Sequence, residues 1–213
     1  MDFDLNEEQR MAVEGARAFA REKLAPAVEE LDAAQEPNLS ALKELGALGY
    51  LGMTVPEEYG GTGMGAVAYA GAMIEFSKED AGTSVGVSVQ NSLVNDAIMM
   101  FGTEEQKKTF LPKLTTGEWL GCFSLTEAGA GSDPGSLRAS AVRDGGHYVL
   151  SGTKNFTTNG GFADVIIAFF QTDKDKGSKG ISAFIIPKET PGFSVGKHEN
   201  EKAAKKRGWI GAD

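Results

Sequence analysis

A chain of 213 residues has room for one domain or two small ones. Its apolar share of 41% and charged share of 24% are those of an ordinary soluble globular protein, and a net charge of -9 argues against nucleic acid as a main partner, because phosphate binding needs a basic field. The single cysteine, Cys122, excludes an internal disulfide and a cysteine-built metal site, and no apolar run reaches membrane-spanning length. The acidic opening Met1-Asp2-Phe3-Asp4 is unlike a signal or transit peptide, so the expectation is a bacterial-type cytoplasmic protein with neither nucleic acid nor membrane as partner.

Residues up to about Gly117 read as helical. Asn6 followed by Gln9 reads as a capping box that starts a helix. Val13, Ala16, Ala20 and Leu24 then share a face at helical spacing, with Phe19 beside them, and Pro26 stops or kinks the run. Leu42, Leu45 and Leu48 mark a second amphipathic helix after Ser40. The stretch from Thr54 to Gly63 is a loop by its proline and glycines; no β-branched strand leads into it and no lysine follows, which excludes a nucleotide P-loop. Helices are expected from Ala66 to about Asp80, from about Thr83 to Phe101, and, after a second capping box of Thr103 with Gln106, to about Leu114. Gln90, Asn91, Ser92, Asn95 and Asp96 interrupt the middle one with polar groups. Such groups either cap neighbouring backbone and face solvent or line a ligand channel.

From about Trp119 the period changes to that of strands. Short strands are expected over Trp119–Leu125, Leu137–Asp144, His147–Ser151, Val165–Gln171 and Ile181–Pro187, with Asp144-Gly145-Gly146 as a hairpin turn. The segment Asp173 to Gly180 reads as a charged, solvated loop. Short strands in this number need closure or a second layer to hide their edges, so a small barrel or sandwich follows.

Two clusters stand out in this half. The first runs from Cys122 to Asp133, where an apolar strand breaks into small residues. Gly129 and Gly131 permit positive φ and close approach of a ligand, successive N–H groups in such a loop can form an anion nest, and Thr126 and Ser132 add hydroxyls that both donate and accept. Taken alone, it is equally a strand followed by a glycine turn. The second cluster runs from Gly152 to Gly161 and contains Lys154-Asn155-Phe156-Thr157-Thr158-Asn159-Gly160.

In chain order, Pro56-Glu57-Glu58-Tyr59-Gly60-Gly61, then Phe101-Gly102-Thr103-Glu104-Glu105-Gln106-Lys107 with Leu111-Pro112-Lys113-Leu114, then Phe123 to Asp133, then Lys154 to Gly160, resemble the flavin-dependent acyl-CoA dehydrogenases. The resemblance spans residues 1 to about 199. It implies an α+β multidomain chain: an all-α helical domain over 1–118, a small, incomplete β-barrel domain over 119–199 that contacts the flavin, and a divergent charged tail over 200–213. It implies FAD as cofactor and an acyl-CoA substrate, with an electron-transfer flavoprotein as acceptor and a homotetramer as the intact assembly. The reaction implied is α,β-dehydrogenation of the thioester, with short-chain substrates expected.

By the same resemblance, Phe123, Leu125 and Thr126 border the flavin ring, Gly131 is among the cofactor-binding residues, and Ser132 lies near the flavin phosphates and the CoA portion of the substrate. Phe156 stands where the family usually has a tryptophan, keeping an apolar face but losing the indole N–H. Thr157 adjoins it, and Thr158 matches the threonine that bonds near flavin N5. Gln90, Asn91 and Leu93 would lie near the floor of the acyl pocket. The family's catalytic base is a carboxylate of a C-terminal helical bundle, which this sequence does not reach, so no catalytic residue is assigned and a truncated chain is expected. Glu127 neighbours the flavin motif but reads as a structural hydrogen-bond acceptor, and His198 as a surface histidine. The rival readings are a non-catalytic flavin- or CoA-binding remnant, a subunit that needs a partner chain, and an acyl-CoA oxidase or flavin monooxygenase on the same fold.

Overall fold

The computed structural model describes residues 4–196; the charged tail expected over 200–213, the last residues of the expected barrel domain and His198 lie outside the described residues. The chain divides into two units, Met1–Leu120 and Gly121–Asp213.

In the first unit, helix α1 (Glu7–Phe19) starts where expected. Asn6 Oδ1 accepts from Gln9 N at 2.8 Å and Gln9 Oε1 accepts from Asn6 N at 3.1 Å, which satisfies two otherwise orphaned N–H groups. The run continues as a π-helical turn, Ala20–Leu24, ahead of Pro26. Its inward face is Ala12, Ala16, Phe19, Ala20 and Leu24, with Val13 half-buried at the margin. A short helix α2 (Val28–Ala34), beyond the helices expected from the sequence, buries no residue and ends on Gln35 at φ 59. Helix α3 (Leu39–Ala47) buries Leu42 and Leu45 but leaves Leu48, expected on the same face, 60% exposed beyond its C-terminus.

Helix α4 (Gly65–Glu79) lies against α1. The helices approach closely because Gly71 has no Cβ: one built there would sit 2.4 Å from Val13 Cγ2. Phe76 is fully buried at the centre, edge-on to Phe19 (6.4 Å between centroids) and to Tyr50 (5.2 Å). Such aromatic pairs add about 1 kcal/mol each beyond the area they bury. The long helix expected over 83–101 begins earlier, because Asp80 caps it by accepting from Thr83 N at 2.9 Å. It runs as α5 (Ala81–Ser88), a π-helical stretch Val89–Asn95, and α6 (Asp96–Phe101). Helix α7 (Glu104–Thr115) carries the second capping box, Thr103 with Gln106.

The second unit is one sheet built on β4 (Val165–Gln171). Strand β1 (Gly121–Ser124) pairs parallel to β4 with Gly121 opposite Val165, and β5 (Ile181–Pro187) pairs antiparallel with Val165 opposite Pro187. The β2–β3 hairpin (Ser140–Asp144, His147–Ser151) turns at Gly145, φ 57, as expected, and joins β4 through Ser140 opposite Gln171. Among the described residues the five strands form one open sheet. Its β-branched and aromatic run makes β4 the central strand, buried along nearly its whole length as a strand covered on both faces must be. The core beside it is Cys122, Ala139, Ala141, Ile166, Ala168, Phe170 and Ile186. The segment read as a solvated loop forms 3-10 turns over Lys174–Gly180 and buries Gly180, where a Cβ would lie against Asp173 O and Gln171 Oε1.

One buried charge in the first unit has a measurable consequence. Glu75 is 6% exposed; its carboxylate accepts from Arg17 Nε at 3.1 Å and Nη2 at 3.3 Å, and from Lys78 Nζ at 2.8 Å. Bonds from Arg17 and then Lys78 outweigh burial and hold this carboxyl at about 2, below its ordinary 4.5. A folded value below the unfolded one means the stabilisation is present above pH 4.5 and is lost as pH falls toward 2. Glu75→Gln is expected to cost about 2 kcal/mol at neutral pH and to flatten the acid limb of the stability curve. Urea unfolding across the acid range measures both, and an unchanged acid limb would refute this account.

Candidate functional site

The two sequence clusters meet at the end of β1. Past Ser124 the chain leaves the sheet through Leu125 and Thr126, then closes a tight turn. Glu127 N donates to Ala130 O and Ala130 N to Glu127 O, both at 3.1 Å, across Ala128-Gly129. Asp133 accepts from Gly135 N and caps the turn Pro134–Ser136, so Ser-Asp-Pro is a turn signal here. Neither Gly129 nor Gly131 adopts positive φ, which corrects the conformational reason for those glycines. A Cβ at either would meet nothing within 4 Å, so the space beside them is open. In the other cluster positive φ is adopted by Gly152 (φ 148) and, among non-glycine residues, by Phe156 (φ 54) and Asn159 (φ 65).

That second cluster is tied to the first at several points. Asn155 N donates to Thr126 O at 2.8 Å. The hydroxyls of Ser124 and Thr157 lie 2.8 Å apart and share a hydrogen bond. Asn159 Nδ2 donates to Gly121 O at 3.2 Å, while its carbonyl receives Phe162 N and Ala163 N. Lys154 Nζ donates to Leu125 O at 3.2 Å and to Glu127 Oε1 at 2.8 Å. Glu127 also accepts from Arg138 N at 2.7 Å and Ala139 N at 3.0 Å. Burial alone would raise the Glu127 carboxyl; Lys154 and the two N–H groups outweigh it, and the carboxyl lies below its ordinary range. An anion held by three donors is a poor general base, as the sequence reading expected of Glu127. The Cys122 thiol, pushed up to about 12 by burial, is equally inert.

Of the residues expected at a cofactor, Leu125 and Thr126 are thus tied through Lys154 and Asn155 to the segment that carries Phe156, Thr157 and Thr158. Phe156 is 55% exposed, and Leu125, Thr126 and Thr158 are half-buried. Phe123 is half-buried and tilts against Phe169, 4.9 Å between centroids. Thr157 spends its hydroxyl on Ser124, and Gly131 and Ser132 are exposed past the Glu127–Ala130 turn. Ser124, Lys154 and Asn159, which hold this surface, stood inside the quoted motifs without a role.

Gln90 and Asn91, expected near an acyl pocket, are fully buried in the first unit, and their amides are taken up by backbone. Asn91 Nδ2 donates to Tyr50 O at 2.8 Å and Val87 O at 3.1 Å while Oδ1 accepts from Met53 N at 2.9 Å; Gln90 Nε2 donates to Leu114 O at 2.9 Å. Leu93 is 39% exposed. Among the described residues there is no cluster of His, Cys, Asp and Glu that could hold a metal ion, and no helix long and apolar enough to cross a membrane.

Known proteins share both units. The family descriptions "Acyl-CoA dehydrogenase, N-terminal domain" and "Acyl-CoA dehydrogenase, middle domain" match residues 6–118 and 122–210. The chain belongs to the acyl-CoA dehydrogenase family. It is 45% identical to an acyl-CoA dehydrogenase of Bacillus subtilis over 92% of its own length and 52% of the relative's. Among solved structures it is similar to butyryl-CoA dehydrogenase from Megasphaera elsdenii, with a TM-score of 0.90 and 42% identity over 94% of this chain and 53% of that one. It is also similar to a glutaryl-CoA dehydrogenase from Mycobacterium smegmatis in complex with FADH2, with a TM-score of 0.85 and 39% identity over 92% of this chain and 49% of that one. The chain therefore spans about half the length of the curated relatives it matches.

The amide of Asn91 gives a direct test of the first unit. Asn91→Ala strips a buried N–H and two buried carbonyls of their partner and is expected to cost about 3 kcal/mol in urea unfolding; a loss under about 1 kcal/mol would show that the Tyr50–Met53 loop holds itself.

Proposed function

We propose that this chain carries the helical portion and the flavin-facing sheet of an FAD-dependent acyl-CoA dehydrogenase acting on a short acyl-CoA thioester. The observation that carries the reading is the joining of Leu125–Thr126 to Phe156–Thr158 through the 2.8 Å bond from Asn155 N to Thr126 O, in a chain of this family.

The residues present fit a flavin. A ring system with an apolar end and a polar edge needs exposed apolar side chains next to uncommitted hydrogen-bonding groups. Phe156 and Leu125 offer the former. The Thr126 and Thr158 hydroxyls make no hydrogen bond among the described residues and offer the latter. The open space beside Gly131 leaves room for the remainder of the cofactor. When bound, FAD supplies the hydride acceptor that side chains lack. Thr126 and Thr158 would orient its polar edge, Phe156 and Leu125 would exclude water from one side, and Ser132 would serve the phosphate-bearing end. Glu127 is occupied by three donors, which supports a base for the α-proton supplied from outside the described residues.

By family resemblance the intact assembly would be a homotetramer passing electrons to an electron-transfer flavoprotein, and the cytoplasm is its proposed location. Because Glu127 is committed, a non-catalytic flavin-binding role or a partner-dependent subunit is the second reading.

Reconstitution with FAD tests the cofactor directly. Retention is expected, and Phe156→Ala is expected to weaken it about tenfold through loss of one aromatic contact, read by quenching of flavin fluorescence. A chain that retains no FAD would overturn the reading. Anaerobic butyryl-CoA then separates the roles: loss of the flavin's visible absorbance marks dehydrogenase chemistry, and persistent absorbance marks the binding role. Oxygen uptake on re-aeration marks an oxidase.

A further inference from the structure

We infer that the largely covered Glu127–Lys154 ion pair is the positioning element that joins Leu125–Thr126 to the segment carrying Phe156–Thr158, so that flavin binding depends on two charged side chains held mostly out of solvent. The functional half of this inference rests on the flavin reading above; the structural half does not.

Among the ion pairs of the described residues this one alone has both partners covered, with side chains 10% and 9% exposed; in every other pair at least one partner stands well out in solvent. Exposed pairs contribute little, whereas a buried pair gains little net stability and demands strict geometry. Here the geometry gathers three segments at one point. Glu127 Oε2 receives Arg138 N, its Oε1 receives Ala139 N and Lys154 Nζ, and the same Nζ donates to Leu125 O. The ammonium also lies 5.3 Å from the centroid of the Phe170 ring, on the core strand β4. The pair therefore adds side-chain bonds where β1 has ended and the strand ladder no longer continues.

Thr126 stands between two residues fixed by this pair, and Phe156 stands two residues after Lys154. The left-handed backbone of Phe156 costs about 1 kcal/mol or more and persists only where its surroundings over-determine it. Lys154 before it and the Ser124–Thr157 hydroxyl bond after it supply that determination. Glu127 and Lys154 are thus positioning residues, acting on the cofactor surface through their neighbours.

The double variant Glu127→Gln with Lys154→Met, in the full chain, removes both charges at similar size and leaves no lone buried charge. Amide exchange should show Val165–Gln171 as protected as in the parent and Asn155 exchanging at least about tenfold faster. The FAD dissociation constant should rise about tenfold, and Lys154→Arg should recover part of it. A double variant with unchanged Asn155 exchange and FAD affinity within about twofold of the parent would overturn the inference, as would loss of protection throughout β4, which would make the pair a general stability element. A parent chain that takes up no FAD would remove the flavin reading alone, and Asn155 exchange would still decide whether the pair sets the two segments.

Discussion

A backbone that leaves helix or strand inside a protein must still find partners for its N–H and C=O groups. Both units meet this demand with buried or largely covered polar side chains. In the first, Asn91 and Asn95 of the π-helical stretch reach Tyr50, Leu51 and Met53, and Gln90 reaches the end of α7. In the second, Glu127, Lys154 and Asn159 serve Leu125, Arg138, Ala139 and Gly121. The π-helical stretch turns Gln90, Asn91, Val94 and Asn95 inward together, so the irregularity in the helix is what supplies the irregular loop with partners.

The same demand explains what the polar groups near the candidate site do not do. Glu127 sits in the motif most exposed to functional reading, yet its carboxylate is consumed by two amides and a lysine, and those donors hold it ionised and engaged. Cys122 is one residue from Phe123 and is buried as a small apolar side chain. The surface left over is apolar and hydroxylic: Leu125, Phe156, Thr126 and Thr158. A surface of that kind suits a large planar cofactor that brings its own chemistry, and it supports the proposed flavin role more than a role in acid–base catalysis by these residues.

Much of the helical unit was legible in advance because its signals are local. Asn6 with Gln9 and Thr103 with Gln106 are capping boxes whose partners lie three residues apart, and the Asp144-Gly145-Gly146 hairpin is specified by its own turn. The helix cap at Asp80, the helix α2 and the π-helical stretch were less legible, since each depends on a single side chain or on packing. The glycines of the first cluster show a different limit. Their composition marked a loop correctly, but left-handed conformations fell to Phe156, which no local preference selects, and to Asn159, of a residue type enriched there.

By itself the sequence determined the order of the main elements, the two-part division into helices and strands, the family, and the two motif clusters. Periodicity, caps, turns and motif order are properties of neighbouring residues and survive without a fold. Only the tertiary structure decided that Gln90 and Asn91 serve a loop, that β4 carries β1 on one side and β5 on the other, and that Glu127 pairs with Lys154. Those facts join residues tens of positions apart, and which buried donor meets which buried acceptor is settled only when packing has excluded water from both.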